Sequence, residues 1–347
     1  MTSMGRKDAF LLALIVTGWL LSFPLACLGG PFPLDGETVW RTLANFAGMG
    51  VPNAANDTQR LVITDVRFAR VCLAALCGGI LATSGVCLQG VLRNPLAEPF
   101  TLGISAGAAC GASLAIALGE IPLLTAVAHM PQHAALVSLS ALAGALSAVL
   151  AALWLGRSRN GLDRGRVILA GIAVSTFFGA LVALVKALNE ESVTSIVFWI
   201  LGSFQGRGWE SMPLLSLASL PALFVLAFRW RTLDVLAFGD AQAGQMGIDV
   251  GRNRFLILLA VGCMTAGCVA VAGVVGFVGL VVPHTLRLLL GAAHGPLLAG
   301  AFFGGGILLV WADFIARTTL AGGQEIPVGV VTALLGGPFF ALLVKKR

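Results

Sequence analysis

Apolar runs of membrane-spanning length recur along the whole chain, separated by short polar or glycine- and proline-rich stretches. They fall near residues 9–28, 68–90, 101–119, 134–155, 167–188, 212–228, 255–275, 277–290, 297–315 and 328–344. A bilayer core takes roughly 20 apolar residues per helix, and backbone in hydrocarbon has to bond within the protein. The pattern predicts an all-α, polytopic membrane protein with about ten transmembrane helices. The eighth run is short and carries Pro283, so a tilted or broken helix is expected there. Such a break needs cover from protein or a water-filled path. The runs are too many and too evenly spread for two soluble domains, and residues 1–347 read as a single transmembrane unit.

Composition supports lipid as the solvent. Hydrophobic residues make up 58% of the chain, charged residues only 11%, and tyrosine is absent, where a soluble domain carries about a quarter charged residues. The formal charge of +6 does not argue for nucleic acid, because the basic residues sit between apolar runs. With ten spans and both termini inside, fifteen basic residues (Arg6, Lys7, Arg93, Arg157, Arg159, Arg164, Arg166, Arg229, Arg231, Arg252, Arg254, Arg287, Lys345, Lys346, Arg347) fall on the inner face. Seven (Arg41, Arg60, Arg67, Arg70, Lys186, Arg207, Arg317) fall outside, the bias that orients membrane proteins. The first run, with Arg6-Lys7 before it and Pro24-Leu-Ala-Cys27 at its end, faintly resembles a lipoprotein signal. Proline stands where such a signal prefers leucine, so a retained helix is expected.

Local motifs speak mainly of packing. Gly103, Gly107 and Gly111 repeat at every fourth residue, as do Gly300 and Gly304, and small residues at this spacing let helices approach closely. The seven cysteines lie in or beside apolar runs with no CxxC and are read as small packing residues. His129 and His133 flank Pro131 in a loop, and His284 and His294 fall near an inner end; none forms a ligand set. No lysine follows a glycine, so the phosphate loop of ATPases is absent and any ATP and magnesium must be bound by a separate subunit. The chain itself is expected to bind no cofactor and no metal. The interior shows no chain of ionisable residues of the kind a proton-coupled carrier needs; Asp313 and Arg317, four apart, are placed to pair along one helix. Ser84 and Ser105 have no basic partner at helical spacing, which leaves an intramembrane enzyme without a catalytic pair.

One segment is neither span nor loose linker. In the strip 232–251, Leu236, Asp240, Ala243 and Gly247 fall near helical spacing, as short helices lying on the inner face would. The strip reads equally as a partner's docking surface and as an amphipathic connector.

Ordered blocks then become recognisable: Arg67-Phe-Ala-Arg70, Gly79-Ile-Leu-Ala-Thr-Ser-Gly85, Gln89, Arg93-Asn-Pro-Leu-Ala-Glu-Pro99, Leu102-Gly103, Leu236-Ala-Phe-Gly-Asp240, Met246-Gly247, Gly276-Phe-Val-Gly-Leu-Val-Val-Pro-His284, Ala312-Asp313 to Arg317, and Glu325-Ile-Pro-Val-Gly329. In this order they resemble the permeases of ABC importers for iron-siderophores, haem and vitamin B12. The resemblance implies the type II importer permease fold, a homodimer with the path at its two-fold, two cytoplasmic ATP-binding subunits and an extracytoplasmic substrate-binding protein, in the bacterial inner membrane. It implies that Leu236, Gly239, Asp240, Ala243, Met246 and Gly247 form the ATPase-coupling helices. It places Arg67 and Arg317 at outer helix ends, gripping carboxylates of the binding protein, with a local pair to Asp65 or Asp313 as the competing reading. Asn94 and Leu96 match one cytoplasmic constriction, and Arg164-Gly165 occupy the place of the second. There this chain departs from the small hydroxyl residues of the B12 permease. Ala69 replaces the family's proline, loosening the entry angle of that helix. A stand-alone carrier or channel is the alternative, disfavoured by the missing interior charges and the docking strip. The cargo is not specified by this chain's residues.

Overall fold

The computed structural model describes residues 5–52, 55–119, 133–158, 161–320 and 322–345; Glu120, His129, Arg159, Lys346 and Arg347 lie outside the described residues. In chain order its helices are α1 (Arg6–Leu28), α2 (Gly36–Phe46), α3 (Asp57–Leu61), α4 (Ala69–Leu92), α5 (Ile104–Gly119), α6 (His133–Leu155), α7 (Arg164–Leu188) and α8 (Val193–Leu201). They continue as α9 (Met212–Ala227), α10 (Trp230–Phe238), α11 (Asp240–Gln245), α12 (Val250–Ala272), α13 (Val278–Leu290), α14 (His294–Thr318) and α15 (Val328–Lys345). Each of the ten expected runs is a helix. Seven apolar helices are long enough to cross a bilayer, and Ile104–Gly119, Val278–Leu290 and Val328–Leu343 are shorter. Three helices had no counterpart in the apolar pattern: α2, capped by the Asp35 carboxylate, the five-residue α3 and the short apolar α8. Among the described residues the only strands are a two-residue ribbon, β1 (Arg157–Ser158) against β2 (Gly161–Leu162).

The bundle is built around α4, which is buried on nearly every side by α14, α12 and α13. A central helix can be surrounded this closely only if its side chains are small. Gly78 meets the backbone of Gly305 on α14, and Gly85 meets the carbonyl of Gly279 on α13, so a Cβ at either position would overlap main chain. With lipid as apolar as leucine, such contacts hold the helices through dispersion. The same device joins α5 to α6, where Gly107 lies on Gly144 and Gly111 on Ser140. Gly103 is instead a left-handed turn residue at φ 81°, set against Val174 of α7. On α14 the expected Gly300 and Gly304 face leucine side chains of α13, while the neighbouring Gly305 makes the backbone contact. The small-residue pattern marked the helix correctly and the contact one residue off.

The eighth run is short, as expected, but α13 continues through Pro283, and the break lies ahead of it. A helix of 13 residues is about 20 Å long at 1.5 Å per residue, well short of the hydrocarbon. Residues 273–277 ahead of it are unwound, with Gly273 at φ 70° and Phe277 at φ 66°. Protein covers this backbone: Ser203 N–H donates to Ala272 O at 2.8 Å, and Phe277 N–H donates to Glu98 Oε1 at 2.5 Å. The helical path 57–92 also departs from regularity, with a wider π turn over Val62–Phe68 where it meets α4.

Replacing Gly78 by valine forces α4 and α14 apart, and we expect destabilisation of about 1–3 kcal/mol, read as a lowered unfolding temperature in detergent. Gly179, where an added Cβ meets nothing within 4 Å, supplies the control: Gly179→Ala leaves the transition in place or raises it.

Candidate functional site

At one end of the bundle, α10 and α11 form the strip singled out in the sequence. Gly239 breaks the helix at φ 123°, and Gly247 ends α11 at φ 81°; both lie in the left-handed half of the map that side chains disfavour. The six residues expected to couple to an ATPase divide into two roles. Leu236, Gly239 and Ala243 are buried and seat the strip on the bundle, whereas Asp240, Met246 and Gly247 face outward. Phe238, which sequence reasoning missed, is 66% exposed, and Met246 is 63% exposed. Two large apolar side chains presented on short helices beside Gln242 and Gln245 make a small apolar shelf with a polar rim, a composition that suits a partner's cleft.

The shelf is tied to three long helices by polar contacts. Arg229 Nη1 donates to Asn253 Oδ1 on α12 at 2.6 Å. Asp234 Oδ1 accepts the backbone N–H of His294 at the start of α14 at 2.9 Å, and His294 Nδ1 lies 2.7 Å from the same oxygen. Asp240 is shared: Arg254 Nη2 on α12 donates to both of its oxygens, at 2.8 and 2.9 Å, and Arg164 Nη2, at the start of α7, donates to Oδ1. Burial is the largest influence on the Asp240 carboxyl and pushes its pKa up, but the hydrogen bonds and charges of Arg254 and Arg164 together outweigh it and hold it below the ordinary 3.8. A carboxylate lowered in the folded state contributes above its ordinary value and loses that contribution only as pH falls through the lower one. Asp240 therefore stays ionised throughout the neutral range.

The two sequence-predicted constrictions meet this end as well. Arg93 closes α4 in the left-handed conformation, φ 51°, and Asn94 folds the next turn by accepting Leu96 N–H on Oδ1 at 3.0 Å. The Arg93 guanidinium reaches the Gly239 corner, 3.3 Å from where a Cβ would stand. Arg164 and the exposed Gly165 follow the β-ribbon and Asp163, whose carboxylate caps α7 through Arg166 N–H at 2.9 Å. Arg164 is engaged by Asp240 rather than open to the path. Glu98, quoted only as part of a motif, turns out to be the acid that caps α13. Among the described residues no group of acidic, histidine or cysteine side chains is arranged to hold a metal, and all seven cysteines are unpaired thiols.

At the opposite end the arginines expected to grip a partner are turned inward. Arg67 Nη1 donates to Cys27 O at 2.8 Å and Leu28 O at 3.2 Å, and Nη2 to Phe32 O. Arg317 Nη1 donates to Gly29 O at 3.0 Å and Nη2 to Ala26 O at 2.5 Å. The last carbonyls of a helix have no internal partner and attract cations; two guanidinium forks supply both for α1. Arg317 also lies 3.5 Å from Asp313, the helix-face pair expected from spacing. Beside that pair, at the same end of the bundle, Arg70 Nη2 pairs with Asp313 Oδ1 at 2.8 Å and with Glu325 Oε2 at 2.7 Å; Arg70 and Asp313 are buried and the Glu325 side chain is 9% accessible. These residues are 243 and 255 positions from Arg70, so nothing in local spacing announces the contact.

Comparison with known proteins covers nearly the whole chain. The model of the FecCD transport family matches residues 14–346. The hemin transport system permease protein of Yersinia pestis is 36% identical over 341 residues, 97% of this chain and 95% of that protein. The cobalamin import system permease protein of Halobacterium salinarum is 36% identical over 303 residues, 86% of this chain and 76% of that one. Among solved structures, an inward-facing conformation of a metal-chelate type ABC transporter superposes with a TM-score of 0.81 at 30% identity, covering 98% of this chain and 100% of the other.

Arg70→Met strands two buried carboxylates, and removing one partner of such a pair costs roughly 3–5 kcal/mol. Thermal unfolding in micelles should show that loss, and the neutral triple variant Arg70→Met/Asp313→Asn/Glu325→Gln should recover most of it. Equal losses in the two variants would mean that the charges are not the source.

Proposed function

The chain belongs to the FecCD transport family, and from that premise we propose how this ABC importer permease is assembled and worked. Two copies line a path at their two-fold axis in the bacterial inner membrane, with both termini in the cytoplasm. The observation that carries the reading is the exposed Phe238–Met246 shelf fastened to three long helices. With no phosphate loop of its own, the chain takes its force from two ATP-binding subunits seated on that shelf. A soluble binding protein delivers cargo at the opposite end. There Arg67 and Arg317 act from beneath, holding residues 26–32 as a rim for it to sit on. The cargo is a large iron chelate, haem or a corrinoid, the classes named for its relatives, and it passes unchanged. Asn94, Leu96, Arg164 and Gly165 border the cytoplasmic exit.

Proteoliposomes holding the chain, its cognate ATPase and binding protein should take up one of ferric siderophore, hemin or cobalamin only with ATP. Uptake by the chain alone along an ion gradient would instead establish a secondary carrier. Met246→Asp should reduce ATPase copurification at least tenfold, taking truncation of a buried apolar anchor at about 1.4 kcal/mol or more, while the purified variant keeps its unfolding temperature.

A further inference from the structure

Three residues that the sequence assigned to separate tasks converge on one carboxylate. Asp240 begins α11, the short helix of the docking shelf. Arg164 begins α7, directly after the turn that borders the exit. Arg254 lies one turn into α12. We propose that the Asp240–Arg164 ion pair is the link through which movement of the docking shelf reaches the exit-lining connection, with Arg254 as the fixed anchor that keeps Asp240 aimed at it. This rests on the reading of α11 as the ATPase seat.

The geometry separates anchor from link. Arg254 is 4% exposed. It uses one nitrogen on both oxygens of Asp240 and another on the carbonyl of Leu162 in the β-ribbon, at 2.5 Å. A buried, doubly engaged fork holds direction as well as distance. The ribbon and α11 are thereby gripped by the same α12 side chain, and Leu162 of β2 cannot move relative to Asp240 without disturbing Arg254. Arg164 joins the cluster from the other side and is partly exposed, its side chain 22% accessible. It is the member that can let go. α11 itself is only six residues long and contributes Ala243 alone to the core, so its own apolar packing is thin and the ion pairs of Asp240 are its main hold on α7 and α12. A charged pair across a protein–water boundary has two discrete arrangements, made and broken, which is what a coupling element requires.

The link can be tested without knowing the cargo. A bimane fluorophore on Gly165→Cys, exposed beside Arg164, is followed in the full assembly with ATPase subunits on adding Mg-ATP; the parent without that cysteine gives the background from native thiols. The wild-type exit should report ATP binding, and Arg164→Gln should lose roughly five-fold or more of that response, the lower end of usual site-to-site coupling, while ATPase still copurifies. Arg164→Lys should restore part of it. Asp240→Asn should lose as much, and the double variant no more than the larger single loss, because one link is cut in each. A full ATP response in Arg164→Gln would overturn the proposal. So would loss of ATPase binding in that variant, which would make Arg164 a docking residue. If ATPase failed to copurify with the wild-type chain, the fault would lie with the assignment of the shelf and not with the link.

Discussion

Hydrocarbon offers no hydrogen bonds, and several departures of this bundle from plain helix are answered by a polar side chain from elsewhere in the protein. The unwound backbone before α13 is met by Glu98. The open carbonyls at the end of α1 are met by Arg67 and Arg317. The start of α14 is met by Asp234. Each of these groups would cost several kcal/mol if left unpaired in lipid, so charged residues appear where backbone order fails. Helix interiors, which satisfy themselves, are left to glycine, alanine and leucine.

That division explains why the two ends of the molecule carry nearly all its ionic chemistry and why the ends differ. Around Arg70 the charges are buried and balanced internally, one arginine between two carboxylates, which makes a stiff joint among α4, α14 and the 325–329 segment. Around Asp240 the carboxylate is about half exposed, with two arginines competing for it. A cluster open to water on one side is easier to rearrange than one sealed on all sides, because water can replace a lost partner. The stiff end suits a rim that receives a preformed partner; the open end suits a joint that has to move.

Much of this was legible in the residues, and the reasons for the gaps are physical. The ten spans follow from apolar runs because lipid imposes a length on each helix. The shortness of the eighth span was plain, although the break lies ahead of it and not at Pro283. The short helices of the strip 232–251 follow from polarity without looseness. What escaped were contacts between residues far apart in sequence: Arg70 with Asp313 and Glu325, Glu98 with Phe277, Asp240 with Arg164. Spacing on one helix reveals neighbours at three and four residues and nothing about convergence of different helices. That Arg67 and Arg317 donate to the last carbonyls of α1 was not legible either, since the sequence shows a charge near a helix terminus and not which orphan carbonyls lie beneath it. Phe238 was overlooked because an apolar residue in a membrane protein draws no attention until its surroundings prove to be polar.

The position of Arg164 is where this chain's own character lies. The resemblance to B12 permeases implies small hydroxyl residues at this place, whereas here a guanidinium occupies it. Were it turned toward the path, it would impose a charge on whatever passes. Turned instead onto Asp240, it is neutralised by a carboxylate that belongs to the docking shelf. On the proposed reading of shelf and exit, exit electrostatics and motor engagement become one variable: a shelf that moves away from Arg164 also releases a positive charge beside the proposed path. An anionic chelate at that point would meet attraction only while the shelf is displaced, so the same ion pair that transmits movement would time the exposure of charge to the cargo.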